Sequence, residues 1–346
     1  MRLVTIVGAR PQFIKAAVVG RALAACEGIE HVLIHTGQHF DRRMSAQFFD
    51  ELAIPEPDHN LGIAGGSHGQ MTGRMLEAIE RVFLDAKPDG VLVYGDTNST
   101  LAGALAATKL HIPVHHVEAG LRSFNRRMPE EVNRVLTDHV SALLFCPTET
   151  SVDNLKAEGI TSGVHLIGDV MYDATLFARA AAGQRPSIAE EAGFSKGDYV
   201  LLTLHRAENT DDPKRLRELC RYVEKAIGGR PVIFPVHPRT RQAFERHGVA
   251  LAGVTMIDPV GYMEMNRLLD GAALVMTDSG GLQKEAYFHR KPCVTLREET
   301  EWVETIEAGW NRLWTSDDYR PRREIDAYGD GRAGEKVVQV IQAEHA

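Results

Sequence analysis

The chain has 346 residues, which is long for a single hydrophobic core and therefore predicts two domains. Its composition, with 44% hydrophobic and 25% charged residues, is typical of a globular protein. A formal net charge of -8 with no offsetting basic tract argues against a nucleic-acid partner. The sequence has no apolar stretch near the ~20 residues of a membrane span, so no membrane partner is expected.

The four cysteines are widely separated and form no CxxC pair. This pattern favours free thiols in a reducing compartment, which indicates a cytoplasmic protein. The histidines include two close pairs, His35/His39 and His115/His116, but neither pair has a thiol or carboxylate at metal-ligand spacing. We therefore expect no metal site.

Short apolar runs rich in β-branched residues recur along the chain between helix-like segments. They lack polar alternation, as expected of strands buried on both faces of a parallel sheet. In chain order the runs are LVTIVG, HVLIHTG, GVLVYGD, PVHHVEAG, LLFCPT, VHLIGD, YVLLTLH, PVIFPVH, VTMIDPV, ALVMTDSGG and PCVTLRE. Their alternation with segments such as LAGALAATKL and DPKRLRELCRYVEKAI predicts an α/β fold with doubly wound parallel sheets.

The two halves of the chain echo each other. In each half a strand ends in an acidic turn (VYGDTNST, VMTDSGG), and a helix then leads to a strand that starts with proline (IPVHHVEAG, KPCVTLREE). The echo favours two Rossmann-like domains that face a central cleft, at residues 1–168 and 169–346. A final helix around Gly334 to Glu344 has no strand after it and could pack back on the first domain.

Ligands of open parallel sheets bind beyond the carboxyl ends of the strands, which selects the residues after each run. After the first run, GARPQFIK places Gly8 in a tight turn and Pro11 at the first helical position. Arg10 and Lys15 could then hold a phosphate, or they could be solvated cations at an ordinary helix start. The motif is not GxGxxG, which argues against a nicotinamide dinucleotide. No other cofactor is expected.

Carboxylates follow two neighbouring strands of the first domain. Asp96 comes after the third run and Glu118 after the fourth, and MPEEVNR then predicts a helix that starts at its proline. In that helix Glu130 and Arg134 share one face, while Glu131 points about 100° away. An exposed Glu130–Arg134 pair would explain part of the pattern. We instead expect Asp96, Glu118 and one of the two helix glutamates to converge. Like charges that lie close together beside a bound anion raise the pKa of at least one carboxyl group, and such a group suits proton transfer.

Polar residues also follow the strands of the second domain. In TDSGGLQKEA, Ser279 could cap a helix, and Gly280 and Gly281 would let a diphosphate approach backbone N–H groups. Glu285 could accept hydrogen bonds from a ribose diol, although an ordinary capped helix would also fit. His205 in LLTLHRAEN could donate to a departing phosphate oxygen or be structural. His237 in FPVHPRT is placed similarly.

The ordered motifs resemble those of the non-hydrolysing UDP-N-acetylglucosamine 2-epimerases. The likeness runs from about residue 1 to about residue 315 and rests on GARPQFIK, HTGQHFD, VYGDTNSTLAGALAA, HVEAGLR, MPEEVNR, LTLHRAEN and TDSGGLQKEA. The resemblance implies a glycosyltransferase-B-like architecture, a homodimer, and interconversion of UDP-GlcNAc and UDP-ManNAc without metal or nicotinamide. It also implies elimination of UDP across C1–C2 to 2-acetamidoglucal, followed by re-addition.

The resemblance assigns roles to individual residues. The catalytic carboxylates would be Asp96, Glu118 and Glu130, with their division between base and acid left open. The residues that would support the site and the phosphates are Arg134, His205, Arg10 and Lys15. The residues that would bind UDP are Ser279, Gly280, Gly281, Glu285, Arg312 near the nucleotide and Met265 near the uracil.

The sequence departs from the family pattern at Gln12 and in GQHFD, and it leaves the substrate open. GQHFD differs from the segment with which many bacterial members of the family bind a second UDP-GlcNAc as an activator, so allosteric activation is left open. The common family phrase has glutamate where Gln12 stands, so the role of Gln12 is open. GGSHGQMTG and FNRRMPEE are similar to a branch that includes epimerases of UDP-2,3-diacetamido-2,3-dideoxyglucuronate, whose carboxylate Arg126 or Arg127 could pair with. The motifs are also compatible with a glycosyltransferase of the same fold, with a hydrolysing epimerase and with a nucleotide-sensing module that only binds UDP.

Overall fold

The structure is a computed structural model that describes residues 1–38, 49, 51–181 and 186–345. The chain divides into two compact units. The first comprises Met1–Leu176 together with Asp326–Ala346, and the second comprises Phe177–Ile325. The division therefore follows Leu176, and Gly168 lies inside the first unit.

The first unit contains a seven-stranded parallel sheet with the strand order β3-β2-β1-β4-β5-β6-β7. Its strands are β1 Arg2–Val7, β2 Glu30–His35, β3 His59–Asn60, β4 Gly90–Tyr94, β5 Val114–Val117, β6 Leu143–Cys146 and β7 Val164–Leu166. The order reverses between β1 and β4, and such a reversal is where doubly wound sheets bind ligands.

The second unit repeats this arrangement with six parallel strands in the order β10-β9-β8-β11-β12-β13. Its strands are β8 Val200–Thr203, β9 Val232–Pro235, β10 Val254–Ile257, β11 Leu274–Thr277, β12 Cys293–Thr295 and β13 Asn311–Leu313. Here the reversal falls between β8 and β11.

Helices connect the strands and cover the sheets. In the first unit and across the unit boundary they are α1 Arg10–Ala24, α2 His68–Ala86, α3 Asn98–Lys109, α4 Pro129–Val140, α5 Glu149–Ala157 and α6 Val170–Ala181. The remaining helices are α7 Ile188–Glu191, α8 Ala207–Thr210, α9 Pro213–Ala226, α10 Pro238–His247, α11 Tyr262–Gly271, α12 Gly280–Phe288, α13 Val303–Glu307 and α14 Ala333–Glu344. Within the described ranges, no helix is long and apolar enough to cross a membrane.

Every apolar run that was predicted to be a strand forms one. Nine of these strands lie between two neighbouring strands and under helices, as in the core formed by Val4, Ile6, Val91 and Val93. β7 and β10 are edge strands and are only partly buried. The sequence analysis missed β3 and β13, which are edge strands of two and three residues and carry no apolar run. α4 begins at Pro129 as predicted, whereas α1 begins at Arg10, one residue before Pro11.

The C-terminal helix α14 packs against α1 within the first unit. A Cβ atom at Gly334 would lie 2.7 Å from the side chain of Val18, so glycine permits the close approach of the two helices. The carboxylate of Asp173 on α6 accepts the backbone N–H of Gly334 at 2.8 Å. This bond satisfies one of the free N–H groups at the start of α14.

We expect Asp173→Asn to stabilise the protein at pH 7.5 and to leave its stability at pH 4.5 nearly unchanged. Burial raises the pKa of Asp173 to about 6, although the N–H groups of Gly334 and Ala333 oppose the rise. The native state therefore holds a proton that the unfolded chain has already released, and this contribution to stability is lost as the pH rises from about 4 to about 6. Asparagine keeps the acceptor and carries no charge.

Thermal unfolding of wild type and variant at both pH values checks this prediction. The expected gain at pH 7.5 is about 1–2 kcal/mol, a discounted value for a half-buried group. An equal loss of stability at both pH values would show that the carboxylate stabilises α14 in its ionised form.

Candidate active site

Asp96 lies in the turn that follows β4, at the carboxyl edge of the first sheet. Its carboxylate is bonded by the guanidinium of Arg134, which reaches it from α4. The side-chain amide of Asn133 donates to the backbone carbonyl of Asp96 at 2.9 Å. α4 thus holds both the side chain and the backbone of Asp96.

Glu118 follows β5 at the same edge and forms an ion pair with Lys15 of α1. Both side chains are nearly buried, with 11% and 8% of their surfaces exposed. The backbone of Glu118 has φ = 73°, which is uncommon for a residue with a side chain. The N–H groups of Glu118 and Ala119 both donate to the carbonyl of Phe145 at 3.1 Å and hold this turn. Backbone strain of this kind is concentrated at functional sites.

The two carboxyl groups lie in different electrostatic environments. Burial raises the pKa of Asp96, and the nearby charge of Glu118 adds to the rise, while Arg134 and Lys15 oppose it. Glu118 forms its ion pair with the ammonium group of Lys15. Two neighbouring carboxyl groups in such different environments can serve as acid and base in proton transfer.

The two glutamates at the start of α4 occupy different environments. Glu131 is buried, and its carboxylate accepts the N–H groups of Ser123 and Phe124 at 2.9 and 2.8 Å. These bonds and Arg134 outweigh burial and hold the pKa of Glu131 below its usual value. Glu130 is exposed. A surface ion pair between Glu130 and Arg134 was considered from the sequence, and among the described residues this alternative is wrong. Arg134 bonds Glu131 at 3.0 Å and also bonds Asp96.

Gln12, whose role was open, connects two strand-to-helix turns at the centre of this edge by hydrogen bonds. One turn follows β1 and the other follows β4. It is 1% exposed, and its Oε1 accepts the N–H groups of Gly8 and Ala9 at 2.8 and 3.0 Å. Its Nε2 donates to the carbonyl of Tyr94 and to the hydroxyl of Thr100, both at 2.9 Å. The site therefore uses an acceptor and a donor at once, and an amide side chain provides both.

Gln12→Glu is expected to destabilise the protein by about 1–3 kcal/mol at neutral pH. A glutamate carboxylate can still accept the N–H groups of Gly8 and Ala9, but it cannot donate to the carbonyl of Tyr94. A carboxylate oxygen and the carbonyl oxygen of Tyr94 would then face each other in the protein interior without a hydrogen between them. Urea unfolding measures the loss, with the exposed Gln242→Glu as the control. Equal midpoints for Gln12→Glu and the wild type would contradict the bracing role.

The carboxyl edge of the second sheet is organised by Asp278, which follows β11 and is fully buried. Its carboxylate accepts the backbone N–H groups of His205 and Arg206, both at 2.9 Å, and the amide of Asn209 at 3.1 Å. Burial alone would raise the pKa of Asp278, but His205 and these N–H groups outweigh it and lower the pKa. The Nδ1 atom of His205 lies 3.1 Å from Asp278, so the carboxylate orients an imidazole that is 46% exposed.

The SGG motif forms the start of α12 beside Asp278. Ser279 occupies the N-cap position, but its side chain makes no capping hydrogen bond, so the capping role considered for Ser279 is wrong. Gly280 approaches Glu301 closely, since a Cβ atom there would lie 2.2 Å from a carboxylate oxygen of Glu301. Gly281 is exposed, and Glu285 is buried within the helix. The unused N–H groups of this helix start can bind an anion.

The other predicted residues lie farther along these edges. Arg10 is the first residue of α1, and His237 is the N-cap residue of α10, where its Nδ1 accepts the N–H of Arg239 at 3.3 Å. Met265 is half-buried and packs against the core that contains Leu268 and Val275. Arg312 lies on the edge strand β13, bonds the carbonyl of Ser316 and lies over the ring of Tyr319.

Asn133 and Asp138 are functional candidates of this edge that were not predicted from the sequence, and Glu131 was considered only as the alternative to Glu130. Asn133 and Glu131 both stand in MPEEVNR, and their spacing to Arg134 was the available signal. Asp138 carries no local signal, because its partners His116, Gly120 and Arg122 precede it by between 16 and 22 residues. Among the described residues, no cluster of histidine, cysteine, aspartate or glutamate could hold a metal ion.

Comparison with known proteins places these features in one family. A family model described as UDP-N-acetylglucosamine 2-epimerase matches residues 21–342. The chain belongs to the UDP-N-acetylglucosamine 2-epimerase family. One relative, the UDP-2,3-diacetamido-2,3-dideoxy-D-glucuronate 2-epimerase of Pseudomonas aeruginosa, is 56% identical over 317 residues, which are 90% of this chain and 88% of the relative.

Solved structures of UDP-N-acetylglucosamine 2-epimerases resemble this chain along its whole length. The Methanocaldococcus jannaschii enzyme in complex with UDP-GlcNAc and UDP is 42% identical, with a TM-score of 0.89 and coverage of 99% of this chain and all of that one. The Neisseria meningitidis enzyme bound to UDP-GlcNAc is 30% identical, with a TM-score of 0.86 and the same coverage. The predicted family and the glycosyltransferase-B-like fold class of two parallel-sheet domains are confirmed.

Proposed function

We propose that this protein catalyses the reversible epimerisation of C2 in a UDP-linked 2-acetamido sugar, with UDP-GlcNAc and UDP-ManNAc as the first candidate pair. The observation that carries the proposal is the pair of carboxyl groups at one sheet edge, Asp96 with a raised pKa and Glu118 in an ion pair with Lys15. The C2 hydrogen is not next to a carbonyl group, so elimination of UDP is the accessible route. That route needs one group to remove a proton and another to return it.

In the proposed reaction Glu118 removes the C2 proton. The electrons of the C–H bond form the C1–C2 double bond, and the C1–O bond breaks with its electron pair going to UDP. Asp96 then returns a proton to the opposite face of C2 while a phosphate oxygen of UDP attacks C1. In the reverse direction the two carboxyl groups exchange roles. Glu130 is a third carboxylate in this proposal, supported by its exposure beside Arg134 on α4.

The proposal assigns UDP to the second unit. The start of α12, with Ser279, Gly280 and Gly281, would bind the diphosphate through backbone N–H groups. His205, which Asp278 orients through Nδ1, would donate from Nε2 to the phosphate oxygen that leaves C1. Glu285 would bind the ribose. Arg10, His237, Met265 and Arg312 complete the proposed set of contacts to the nucleotide sugar.

A second candidate substrate is UDP-2,3-diacetamido-2,3-dideoxyglucuronate. The observation that favours it is the 56% identity with the Pseudomonas aeruginosa enzyme that is named for this sugar. A substrate carboxylate would need a cation, and Arg126 and Arg127 are exposed in the loop before α4. The chemistry at C2 would be the same for both substrates.

Proton NMR of the purified protein with each UDP-sugar in D2O tests the function. The expected result is the C2 epimer with deuterium at C2, for one substrate or both. A faster reaction with the diacetamido sugar would select the second candidate. Accumulation of the free sugar and UDP would instead indicate hydrolysis, and unchanged sugars would contradict the proposal.

A cytoplasmic homodimer completes the proposal. The four cysteines are free thiols, which suits a reducing compartment. Val132 and Leu136 are 42% and 45% exposed and lie one turn apart on α4, an apolar face that a second copy could cover. Light scattering of the purified protein measures its mass in solution, and a mass of one chain would contradict the dimer.

A further inference from the structure

His116 is a fully buried histidine of β5 that lies two residues before Glu118. Its Nε2 atom lies 2.7 Å from the carbonyl oxygen of Gly95, and its Nδ1 atom lies 2.7 Å from the carboxylate of Asp138. A carbonyl oxygen can only accept a hydrogen bond, so Nε2 must carry a hydrogen. This hydrogen fixes the ring between the Gly95 turn and Asp138.

Asp138 is bonded by two side chains. Burial alone would raise the pKa of Asp138, but His116 and Arg122 outweigh it and hold the pKa below its usual value. An ionised carboxylate only accepts hydrogen bonds, so His116 lies between two acceptors, the carbonyl of Gly95 and the carboxylate of Asp138.

Arg122 extends the cluster around Asp138. The second oxygen of Asp138 accepts Nη1 of Arg122 at 2.7 Å. Arg122 also makes two bonds of 2.7 Å to the carboxylate of Glu158. The guanidinium group of Arg122 therefore pairs with two carboxylates, and such pairing is what allows charges to remain buried.

The cluster holds the backbone on both sides of the proposed catalytic carboxyl groups. Gly95 has φ = 60°, its N–H donates to the carbonyl of Val117 at 3.0 Å, and its own carbonyl accepts His116. A Cβ atom at Gly95 would lie 3.3 Å from both Glu118 and Lys15. Gly95 therefore lies against the Lys15–Glu118 ion pair and leads directly into Asp96.

Asp138 holds the turn after Glu118 in the same way. It accepts the N–H of Gly120 at 3.1 Å, and Gly120 has φ = 76°. A Cβ atom at Gly120 would lie 2.2 Å from the carbonyl oxygen of Ser151, so this turn has no room to shift toward α5. One buried His116–Asp138 pair thus fixes the turns that carry Asp96 and Glu118.

We propose that His116 is a positioning residue that sets the separation and orientation of Asp96 and Glu118 through its bonds to Gly95 and Asp138. The inference rests on the proposed function, because it assumes that these two carboxyl groups move the C2 proton. Without the Nε2 bond, the Gly95 turn keeps only its own N–H bond to Val117 of β5, and Asp96 shifts relative to Glu118. A displacement of about 1 Å in a proton-transfer site lowers the rate by roughly 100-fold.

Two conservative variants separate the two bonds of His116. Glutamine can place a donor near the position of Nε2, whereas asparagine can place one near the position of Nδ1. We therefore expect His116→Asn to keep the bond to Asp138, to lose the bond to Gly95, and to lower kcat on the order of 100-fold. His116→Gln should retain clearly more of the wild-type kcat. KM and the Kd for UDP should change by less than about threefold in both variants, because the residue at position 116 does not contact UDP in the proposed site.

His115→Leu is the matched control. His115 is the preceding residue of β5 and is equally buried, but neither of its ring nitrogens has a hydrogen-bond partner among the described residues. It takes no part in the cluster, so kcat should remain near the wild-type value. A loss of kcat in His115→Leu equal to that in His116→Asn would show a general effect of altering the strand and would overturn the inference.

The experiment measures kcat, KM and C2 deuterium incorporation for the wild type and the three variants of the full chain, with UDP-GlcNAc and the diacetamido sugar as substrates. Nitrogen-15 NMR of the wild type should show a hydrogen on Nε2 of His116, and a ring without a hydrogen on Nε2 would overturn the bond to Gly95 and the inference with it. An active wild type with unchanged kcat in His116→Asn would overturn the positioning role alone. A wild type without exchange at C2 would overturn the proposed function and this inference with it.

Discussion

Glu118→Gln is expected to lower kcat by about 1,000-fold, within the range that general acid–base groups contribute. Glutamine has nearly the same shape but cannot accept the C2 proton, and it leaves the buried ammonium group of Lys15 without its charge partner. The Kd for UDP should stay within a few-fold, because the proposed diphosphate and ribose contacts at the start of α12 and at Glu285 lie in the second unit. Steady-state kinetics, deuterium incorporation at C2 and calorimetry with UDP measure these three quantities.

Glu149→Gln is the matched control for this variant. Glu149 is an exposed glutamate in the first turn of α5, and it should keep wild-type turnover. Thermal unfolding separates a catalytic effect from a loss of folded protein. Wild-type turnover in Glu118→Gln would remove Glu118 from the mechanism.

Gly280→Val is expected to weaken UDP binding by about 10- to 100-fold, equivalent to the loss of one or two hydrogen bonds. The new Cβ would lie 2.2 Å from Oε1 of Glu301, and Arg297 donates to the other oxygen of this carboxylate, Oε2, at 2.8 Å. Either the start of α12 or the Glu301 side chain must therefore move. The branched side chain would also cover backbone N–H groups that the diphosphate is proposed to use.

Calorimetry with UDP gives the affinity of this variant. Gly73→Val is the control, because Gly73 is an exposed helical glycine of α2 and a Cβ there meets no atom within 4 Å. The control should bind UDP as the wild type does. Unchanged UDP affinity in Gly280→Val would contradict the proposed diphosphate site at α12.

The sequence by itself determined the fold class and the residues at the sheet edges. Strands buried on both faces must be apolar along their whole length, so runs such as LVTIVG and YVLLTLH were recognisable without any tertiary information. The parallel arrangement then placed Asp96, Glu118 and Asp278 at carboxyl ends of strands, and the ordered motifs identified the family. The edge strands β3 and β13 were missed, because a segment of two or three residues is too short to show a pattern of apolar residues.

Only the tertiary structure decided which charges meet. Lys15 and Glu118 are 103 residues apart in the sequence, and Arg134 reaches Asp96 across 38 residues. Helical spacing suggested a pair between Arg134 and Glu130, but in the folded chain Arg134 forms ion pairs with Glu131 and Asp96. The physical reason is that apolar periodicity is a local property of the chain. Hydrogen bonds and ion pairs depend instead on the distances between side chains that separate strands and helices bring together.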